Sequence, residues 1–284
     1  MELVLGGVQF SQNYGYKKKK KIPYFEIKKI INLCKKNNIK YIDTALTYKK
    51  NHQIIGSSDL KKLKVLTKFK LPNQNKNIKI WLNQKLEQTF LHLKTKKIES
   101  IMIHSYKDII GRNGKIFLSF LNNLKKKKII NKIGLSIYEI KELDIVWNFL
   151  KPDLVQVPIN IIDHRFILSK WPIKLKKNKI KIFARSCFLQ GLLLSNFSKI
   201  KITNNKDKEN LLNFKNWCEK KKISKIKACL HFIKNFNYID YLVVGFNSYE
   251  NLHEIVKIFK ERKFEVGKNF KSNNVHLIDP RKWK

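Results

Sequence analysis

Four polar residues stand at or just beyond the ends of short apolar, β-branched runs, and together they carry the groups needed to protonate a carbonyl oxygen. They are Asp43, Tyr48, Lys68 and His104. Tyrosine alone is a weak acid, with a pKa of about 10. A lysine beside Tyr48 would favour the phenolate and lower that pKa, and an aspartate paired with the lysine would fix it in place. We therefore predict that Tyr48 is a general acid whose pKa is lowered by Lys68.

The placement of these four residues predicts a parallel β/α barrel, in which the chemistry lies at the C-terminal ends of the strands. Short runs rich in Ile, Val and Leu predict eight strands, at residues 3–8, 39–43, 64–67, 98–103, 132–136, 153–157, 180–184 and 240–244. Amphipathic stretches predict helices at Phe25–Lys36, Ile78–Lys94, Lys115–Lys127, Tyr138–Phe149 and Leu252–Lys260. Eight repeats of strand and helix predict a sheet that closes into a (β/α)8 TIM barrel.

No linker or change of composition divides the chain, so we predict one domain over residues 1–284. The longest interruption, about Asn196–Lys222, lies between the seventh and eighth strands. It contains the Lys/Asn-rich segment ITNNKDKEN followed by a helical pattern, and we expect it to form an elaborated loop over the mouth of the barrel. The last stretch, about Phe264–Lys284, is predicted to be a tail that its ending LIDPRKW tethers to the barrel through apolar and aromatic side chains.

The order and spacing of the quartet also resemble those of a known family. The chain is similar to the aldo/keto reductases, whose tetrad is an aspartate, a tyrosine, a lysine and a histidine in this order. LVLGGVQFSQNYGY resembles the family's opening strand and loop, and IKYIDTALTY and KVLTKF resemble its second and third units. Its fifth to eighth strand ends are matched by KIGLSIY, DLVQVPIN, IFARSCFLQGLLL and YLVVGFNSYENLHEIV. So many matches in order argue against coincidence.

The resemblance implies an NAD(P)H-dependent oxidoreductase that reduces an aldehyde or a ketone to an alcohol. It implies NADPH as the cofactor, with NADH as the alternative. Hydride would pass to the carbonyl carbon while Tyr48 protonates the oxygen. A lone histidine at the end of a buried run is more often structural, but beside the other three residues His104 is expected to orient the carbonyl toward Tyr48.

The cofactor is expected in the second half of the barrel, because such barrels bind phosphates at the loops after the seventh and eighth strands and at a helix N-terminus. No GxGxxG follows the first strand. The residues expected to contact the cofactor are Gln9, Ser136, Gln156, Arg185, Ser186, Gly191, Gly245, Asn247 and Asn251. By resemblance, Ser136 and Gln156 hold the nicotinamide carboxamide, and Arg185 lies where many relatives stack an aromatic ring on the nicotinamide.

Several of these residues have a structural alternative. Gln156 would equally serve to satisfy strand edges, Ser186 to form a turn, and Gln9 to contact the substrate instead of the cofactor. Asn247 and Glu250 are spaced like a helix cap.

The chain departs from the family pattern at three places. Ile137 replaces the usual asparagine after the serine of the fifth strand. The common Tyr-Gly-x-Ser-Glu becomes YKKNH, so His52 replaces a glutamate that would help to anchor the second loop. The turn 245–248 holds no Lys or Arg, which many relatives use to grip the extra phosphate of NADPH. The preference for NADPH therefore follows from the resemblance alone.

The strong positive charge is the feature that points most directly to other functions. Lys+Arg number 61 against 21 Asp+Glu, a net charge of +40, which raises nucleic acid or an anionic membrane as a partner. The lysines are nevertheless spread along the chain, in runs such as Lys17–Lys21, Lys125–Lys128 and Lys220–Lys222. This pattern favours solvated faces, and no basic stripe interleaved with aromatic residues occurs. We expect no specific nucleic-acid partner.

The remaining composition predicts a cytoplasmic protein without a membrane anchor or a metal. The chain enters a strand within a few residues of its start, and no apolar run has the length of a membrane span. The cysteines form neither a CxxC pair nor a zinc spacing, which indicates free thiols in a reducing compartment. The histidines show no HExxH pattern.

The expected partner is a small carbonyl compound, and the protein is expected to be a monomer or a weak oligomer. Substrate choice is predicted to reside in the loops Ser11–Lys21, Tyr106–Asn113 and Asn160–Trp171. The ARS and LIDPR segments look like relatives from bacterial surface-sugar pathways, which favours a sugar or sugar-nucleotide carbonyl. The alternative function is a catalytically inactive binding or regulatory protein on the same scaffold.

Overall fold

The chain folds into a closed barrel of eight parallel strands. A computed structural model describes residues 1–16, 20–73, 77–197, 204–267 and 269–283. The strands follow one another around the barrel in chain order. They are β1 (Glu2–Gly6), β2 (Tyr41–Asp43), β3 (Lys64–Phe69), β4 (Ile98–Ile103), β5 (Ile130–Ser136), β6 (Leu154–Pro158), β7 (Lys181–Arg185) and β8 (Tyr241–Val244). β1 pairs with both β2 and β8, so the sheet has no edge and the predicted (β/α)8 TIM barrel is confirmed.

Helices connect the strands and cover the outside of the barrel. They are α1 (Glu26–Lys36), α2 (Asn51–Gly56), α3 (Ile78–Leu93), α4 (Lys107–Ile110), α5 (Gly114–Lys126), α6 (Ile140–Val146), α7 (Trp171–Lys177), α8 (Asn205–Lys220), α9 (Lys225–Lys234), α10 (Tyr249–Lys260) and α11 (Val275–Ile278). In α1 the buried positions Ile27, Ile30, Ile31 and Cys34 recur at helical spacing and form one apolar face. The five predicted helices all occur, and Tyr138–Phe149 is shortened to α6.

The strand register places the predicted functional residues at one end of the barrel. Asp43 lies opposite Leu66 on β3, two residues before Lys68. Ser136 lies opposite Gln156, and Arg185 lies opposite Pro158 at the end of β6. Below this level the barrel interior is filled by a separate cluster of side chains, consisting of Val4, Tyr41, Leu66, Met102, Leu154, Phe183 and Val243. The C-terminal ends of the strands are therefore the open end of a packed barrel.

The insertion between β7 and β8 is mostly helical, in agreement with the helical pattern predicted after its Lys/Asn-rich segment. Within Asn196–Lys222, residues 198–203 lie outside the described residues, and most of the rest forms α8. The buried carboxylate of Asp207 on α8 accepts hydrogen bonds from Ser272 Oγ at 2.5 Å and from Asn274 Nδ2 at 2.6 Å. Helix α8 is thereby fixed to the C-terminal segment.

The C-terminal segment is tethered, as predicted from its apolar and aromatic residues. Phe270 packs against Trp217 of α8, with ring centroids 5.7 Å apart. Trp283 donates its indole N–H to the Leu277 carbonyl at 3.0 Å and meets the ring of Tyr16 edge-on at 6.1 Å. The chain's last described residues therefore reach the loop that follows β1.

The contact between α2 and α3 leaves no room for a side chain at Gly56. A Cβ added there would overlap the carbonyl oxygen of His92 and would lie 2.7 Å from the carbonyl carbon of Leu93. Both are backbone atoms that cannot rotate away. Because α2 follows the loop that carries Tyr48, this close approach sets the position of that loop.

Gly56→Ala is expected to lower the free energy of unfolding by about 3 kcal/mol, because the added methyl group must displace the backbone of α3. Helix propensity alone would predict a gain of about 1 kcal/mol for the same change, so the two effects differ in sign. Gly267→Ala is the matched control, because nothing lies within 4 Å of a Cβ at that position. Urea unfolding measures both variants, and equal stabilities would contradict the predicted overlap.

Candidate active site

One cavity of about 420 Å³ opens at the C-terminal end of the barrel and collects the predicted residues. Its wall includes all four members of the predicted tetrad, Asp43, Tyr48, Lys68 and His104. It also includes all nine residues predicted to contact a cofactor, namely Gln9, Ser136, Gln156, Arg185, Ser186, Gly191, Gly245, Asn247 and Asn251. Their roles in catalysis and binding stay predictions, but their convergence on one cavity is a property of the fold.

A buried ion pair between Lys68 and Asp43 forms the floor of the site. The ammonium lies 2.6 Å from Asp43 Oδ1 and 2.7 Å from Oδ2, and it also donates to the Thr44 carbonyl at 3.1 Å. The two side chains are only 2% and 8% exposed. Burial lowers the pKa of Lys68, and the carboxylate opposes that shift. All three N–H donors of the lysine are therefore used within the protein.

The environment of Tyr48 raises its pKa well above 10, so the predicted lowering of that pKa is wrong. Burial is the main cause, and the charge of Asp43 is the next. Lys68 Nζ does lie near the tyrosine, 5.6 Å from the ring centroid, but burial and the Asp43 carboxylate outweigh its effect. The residue is consequently a protonated phenol at neutral pH, which can give a proton to a strongly basic oxygen.

His104 faces the cavity as a neutral imidazole. Burial is the main reason that its pKa falls to about 3, and the positive charges of Lys68 and Arg185 add to the shift. Its buried Nδ1 has no hydrogen-bond partner among the described residues. A neutral imidazole carries one donor and one acceptor nitrogen, so the ring is able to hydrogen-bond a carbonyl oxygen without charging it.

The loop after β2 is held by Asn51 and by His52, the residue that replaces the usual glutamate. The fully buried amide of Asn51 donates to the Gly7 carbonyl at 2.6 Å and to Ser11 Oγ at 3.1 Å, and its oxygen accepts from Thr44 Oγ1 at 2.7 Å. His52 Nε2 lies 2.9 Å from Thr67 Oγ1. Neutral hydrogen bonds thus anchor this loop to the segment that follows β1, to the end of β2 and to β3.

Two buried amide oxygens of the cavity wall have no hydrogen-bond partner among the described residues. They are Gln9 Oε1 and Gln156 Oε1. The other end of the Gln156 amide donates to Asp43 Oδ1 at 2.8 Å, which fixes its orientation. Because a buried acceptor without a partner is costly, both oxygens are suited to receive an N–H group from a ligand. The structural alternative for Gln156, a role at strand edges, is not what its contacts show.

The segment after β7 has an unusual backbone where it lines the cavity. Ser186, Leu189, Gln190 and Gly191 all have positive φ angles, of 62°, 44°, 53° and 86°. For residues other than glycine this conformation is unfavourable, and such backbone clusters at functional sites. The Gln190 carbonyl accepts from Tyr16 N at 2.9 Å, so the segment is joined to the loop after β1 across the mouth.

The start of α10 forms the wall on the β8 side, and its cap differs from the predicted one. The N-cap is Ser248, whose hydroxyl accepts from Asn251 N at 3.2 Å, and not Asn247. The Asn251 side chain in turn accepts from Asn247 N at 3.3 Å. The positive end of a 12-residue helix thereby faces the cavity, as an anion site requires.

Three tyrosines of the cavity wall, Tyr14, Tyr16 and Tyr138, were not singled out as site residues by sequence reasoning. Tyr14 lies in the loop after β1, and burial raises its pKa to about 12. Tyr138 follows Ile137 and stacks on the guanidinium of Arg185, 4.1 Å from Cζ to the ring centroid. The family pattern singles out Ile137, but the residue that lines the cavity is Tyr138.

The three loops predicted to determine substrate specificity contribute unequally to the cavity wall. Residues 14–16 of Ser11–Lys21 line it, and residues 17–19 lie outside the described residues. Tyr106 and Lys107, from Tyr106–Asn113, line a separate surface depression. No residue of Asn160–Trp171 lines the main cavity, but Asn160 donates to the Ser186 carbonyl at 3.3 Å.

The chain matches a model of the aldo/keto reductase family over residues 2–266. The chain belongs to the aldo/keto reductase family. Members of this family are oxidoreductases that generally use nicotinamide cofactors and act on small carbonyl compounds. No curated protein matches the sequence. Within the described parts of this aldo/keto reductase, no group of His, Cys, Asp or Glu side chains is arranged to hold a metal ion, and no helix has the length and hydropathy to cross a bilayer.

Solved structures agree with this assignment at the level of the fold. An aldo-keto reductase from Bacillus halodurans, in its holo form, superposes with a TM-score of 0.73 at 15% identity, over 93% of this chain and 88% of that chain. Glycerol dehydrogenase from Gluconobacter oxydans superposes with a TM-score of 0.65 at 17% identity, over 91% of this chain and 86% of that chain.

Asn51→Leu is expected to lower the free energy of unfolding of this aldo/keto reductase by about 2 kcal/mol, because it leaves the buried Thr44 hydroxyl without an acceptor. Thr44→Val removes that hydroxyl, so the double variant should lose less than the sum of the two single changes, by about 0.5–1 kcal/mol. Chemical unfolding of the four chains measures the coupling. Strict additivity would show that the pair does not interact.

The stability of the protein is expected to fall in mild acid because His52 is kept neutral by burial, which lowers its pKa from 6.5 to about 4. An unfolded histidine binds a proton near pH 6.5, so between pH 6.5 and 4 the unfolded state holds more protons. Stability is therefore complete above pH 6.5 and is lost on acidification by up to about 1.4 kcal/mol per pH unit.

Urea unfolding at a series of pH values from 7.5 to 4.5 measures this effect by comparing wild type with His52→Gln. The variant should show a smaller slope of stability against pH below 6.5, and His104, whose pKa is also low, accounts for part of the slope that remains. Identical slopes for the two proteins would contradict the prediction.

Proposed function

We propose that this protein is an NADPH-dependent reductase that converts an aldehyde or ketone to an alcohol, with Tyr48 as the proton donor. The observation that carries the proposal is the meeting of a protonated phenol, a neutral imidazole and a buried Lys68–Asp43 pair in one cavity. These groups bind a carbonyl oxygen and supply a proton to it without adding a net charge of their own.

The residues of the chain perform distinct tasks in this mechanism. His104 hydrogen-bonds the carbonyl oxygen and directs it toward Tyr48. The Tyr48 hydroxyl gives its proton to that oxygen as negative charge develops there, which a phenol does readily because an alkoxide is a far stronger base than a phenolate. Lys68 then lies 5.6 Å from the ring that has become negative and stabilises it electrostatically.

The cavity wall fits a nicotinamide dinucleotide. The unpartnered oxygen of Gln156 is an acceptor for the amide N–H₂ of a carboxamide, and the hydroxyl of Ser136 lies on the neighbouring strand. Ser186, Gly191 and the N-terminal end of α10 would hold the diphosphate. When bound, the cofactor supplies the hydride that the protein itself does not contain.

The preference for NADPH and the cellular location belong to the same proposal. The turn Gly245–Ser248 carries no cation, so the preference is proposed from family membership and from the high positive charge of the protein. All four cysteines are free and buried, which supports a reducing compartment such as the cytoplasm. Cys187 lines the cavity, but burial raises its pKa to about 12 and leaves the thiol unreactive.

Tyr48→Phe is expected to reduce kcat by about 1,000-fold, because a general acid contributes 10²–10⁴-fold to the rate. The affinity for the nucleotide should be unchanged, since the change removes only a hydroxyl at the catalytic end of the cavity. Turnover is followed by NADPH absorbance with a panel of aldehydes, ketoses and nucleotide sugars. Binding is followed by quenching of tryptophan fluorescence with NADPH and with NADH.

The control for this experiment is Tyr24→Phe, which removes the hydroxyl of an exposed tyrosine outside the cavity. Normal turnover by Tyr48→Phe would remove Tyr48 from the role of acid. If neither nucleotide binds to the wild type, the protein is not a nicotinamide-dependent reductase, and the alternative of a binding or regulatory protein gains support.

A further inference from the structure

The wall of the catalytic cavity carries one positive charge that no carboxylate neutralises. Asp43 and Lys68 neutralise each other. The other titratable side chains with shifted pKa values are neutral at pH 7, and they are Tyr14, Tyr48, His104 and Cys187. The guanidinium of Arg185 is charged at this pH. The described part of the cavity therefore has a net positive charge that resides on Arg185.

Arg185 is held rigidly, and part of its hydrogen-bonding capacity remains open. Its Nη2 donates to the Ile137 carbonyl at 2.9 Å, and its Nη1 donates to Ser186 Oγ at 3.1 Å. The ring of Tyr138 covers one face of the guanidinium. A guanidinium has five N–H donors, so three of them have no acceptor within the described residues.

Two other arginines of the protein have guanidinium groups that are paired with a carboxylate. Arg165, which is also half-buried, donates from Nε at 2.9 Å and from Nη2 at 2.7 Å to the fully buried carboxylate of Asp163. Arg281 also stacks on the Tyr138 ring, with Cζ 3.6 Å from its centroid, and is paired with Asp279 at 2.6 Å. Arg185 stacks on the same tyrosine ring as Arg281, but it is not paired with a carboxylate.

The guanidinium lies at the catalytic end of the cavity. Its charge acts on Tyr48, Lys68 and His104, the three groups that surround the expected position of the carbonyl oxygen. It lowers the pKa of each of them, and therefore opposes the charged form of both Lys68 and His104. A half-buried cation without a counter-ion raises the free energy of the unliganded site. Binding of an anion to the guanidinium offsets this increase.

We infer that Arg185 is the binding site for an anionic group of the carbonyl substrate, so that the preferred substrates carry a carboxylate or a phosphate close to the carbonyl. The planar fork of three open donors matches two oxygens of either group. This inference rests on the proposed reductase function and narrows its substrate class from carbonyl compounds in general to anionic ones. Sugar phosphates, sugar acids and short oxo acids belong to this class.

Matched pairs of aldehydes test the inference. Succinic semialdehyde is compared with butanal for the carboxylate, and glyceraldehyde 3-phosphate is compared with glyceraldehyde for the phosphate. In the wild type, kcat/KM for the charged member of at least one pair should exceed that of its neutral partner by about tenfold or more. The pair that shows the larger ratio identifies the anion.

In Arg185→Met the ratio should fall to about one, and in Arg262→Met it should be unchanged. Arg262 is an exposed residue just after α10, so this control removes the same charge from the outside of the protein. Because the ratio is taken within one protein, a general loss of activity in Arg185→Met does not affect it. Ratios near one in the wild type for both pairs, or a ratio that survives in Arg185→Met, would overturn the inference.

The dissociation constant of NADPH separates a substrate site from a cofactor site. If Arg185 binds the substrate, Arg185→Met changes this constant by no more than about threefold while the substrate ratio is lost. A large loss of NADPH affinity with an unchanged substrate ratio would assign the guanidinium to the cofactor and overturn the inference.

The failure of the proposed function is recognised separately. The reductase proposal fails if the wild type binds neither NADPH nor NADH. If it reduces none of the four aldehydes, the anion site is judged by calorimetric titration with succinate and with inorganic phosphate at fixed ionic strength. Binding that is lost only in Arg185→Met supports the site. Equal binding by wild type, Arg185→Met and Arg262→Met would refute it.

Discussion

The buried pair of Lys68 and Asp43 is the constraint on which the rest of the site depends. Neither side chain is exposed to more than 8%, and a single charge left unpaired at this depth would cost about 3–5 kcal/mol. β2 and β3 must therefore keep the register that joins them. The carboxylate also holds the amide of Gln156, so the pair reaches across the barrel to β6 and leaves the opposite end of that amide open to the cavity.

Because Lys68 and Asp43 neutralise each other as a pair, the site contains neutral, protonated groups and little net charge. Burial and the charge of Asp43 raise the pKa of Tyr48 despite the nearby ammonium, and burial keeps the imidazole of His104 neutral. The ammonium lies 5.6 Å from the ring of Tyr48, where its charge favours the phenolate but does not outweigh these two effects. Arg185 stands apart as the one charge without a counter-ion in the described cavity wall.

The sequence was sufficient to predict the barrel, because β-branched runs mark its strands. It was also sufficient to predict that the thirteen named residues line one cavity, because a closed barrel makes the strand ends converge. It was not sufficient for the electrostatics. The predicted pKa of Tyr48 was wrong because the pattern showed that Lys68 would lie nearby but did not show how deeply the phenol is buried. The cap Ser248 depends on a choice between adjacent polar residues, and the stacking of Tyr138 on Arg185 depends on tertiary packing.

The ring of Tyr138 stacks on two guanidiniums, one from the end of β7 and one from the C-terminal segment. Arg281 is fixed by Asp279 within LIDPRKW, so the far end of the polypeptide forms the outer layer of a wall whose inner layer is Arg185. Substitutions in the described part of this terminal stretch are therefore expected to shift the wall around Arg185 without any contact with the tetrad.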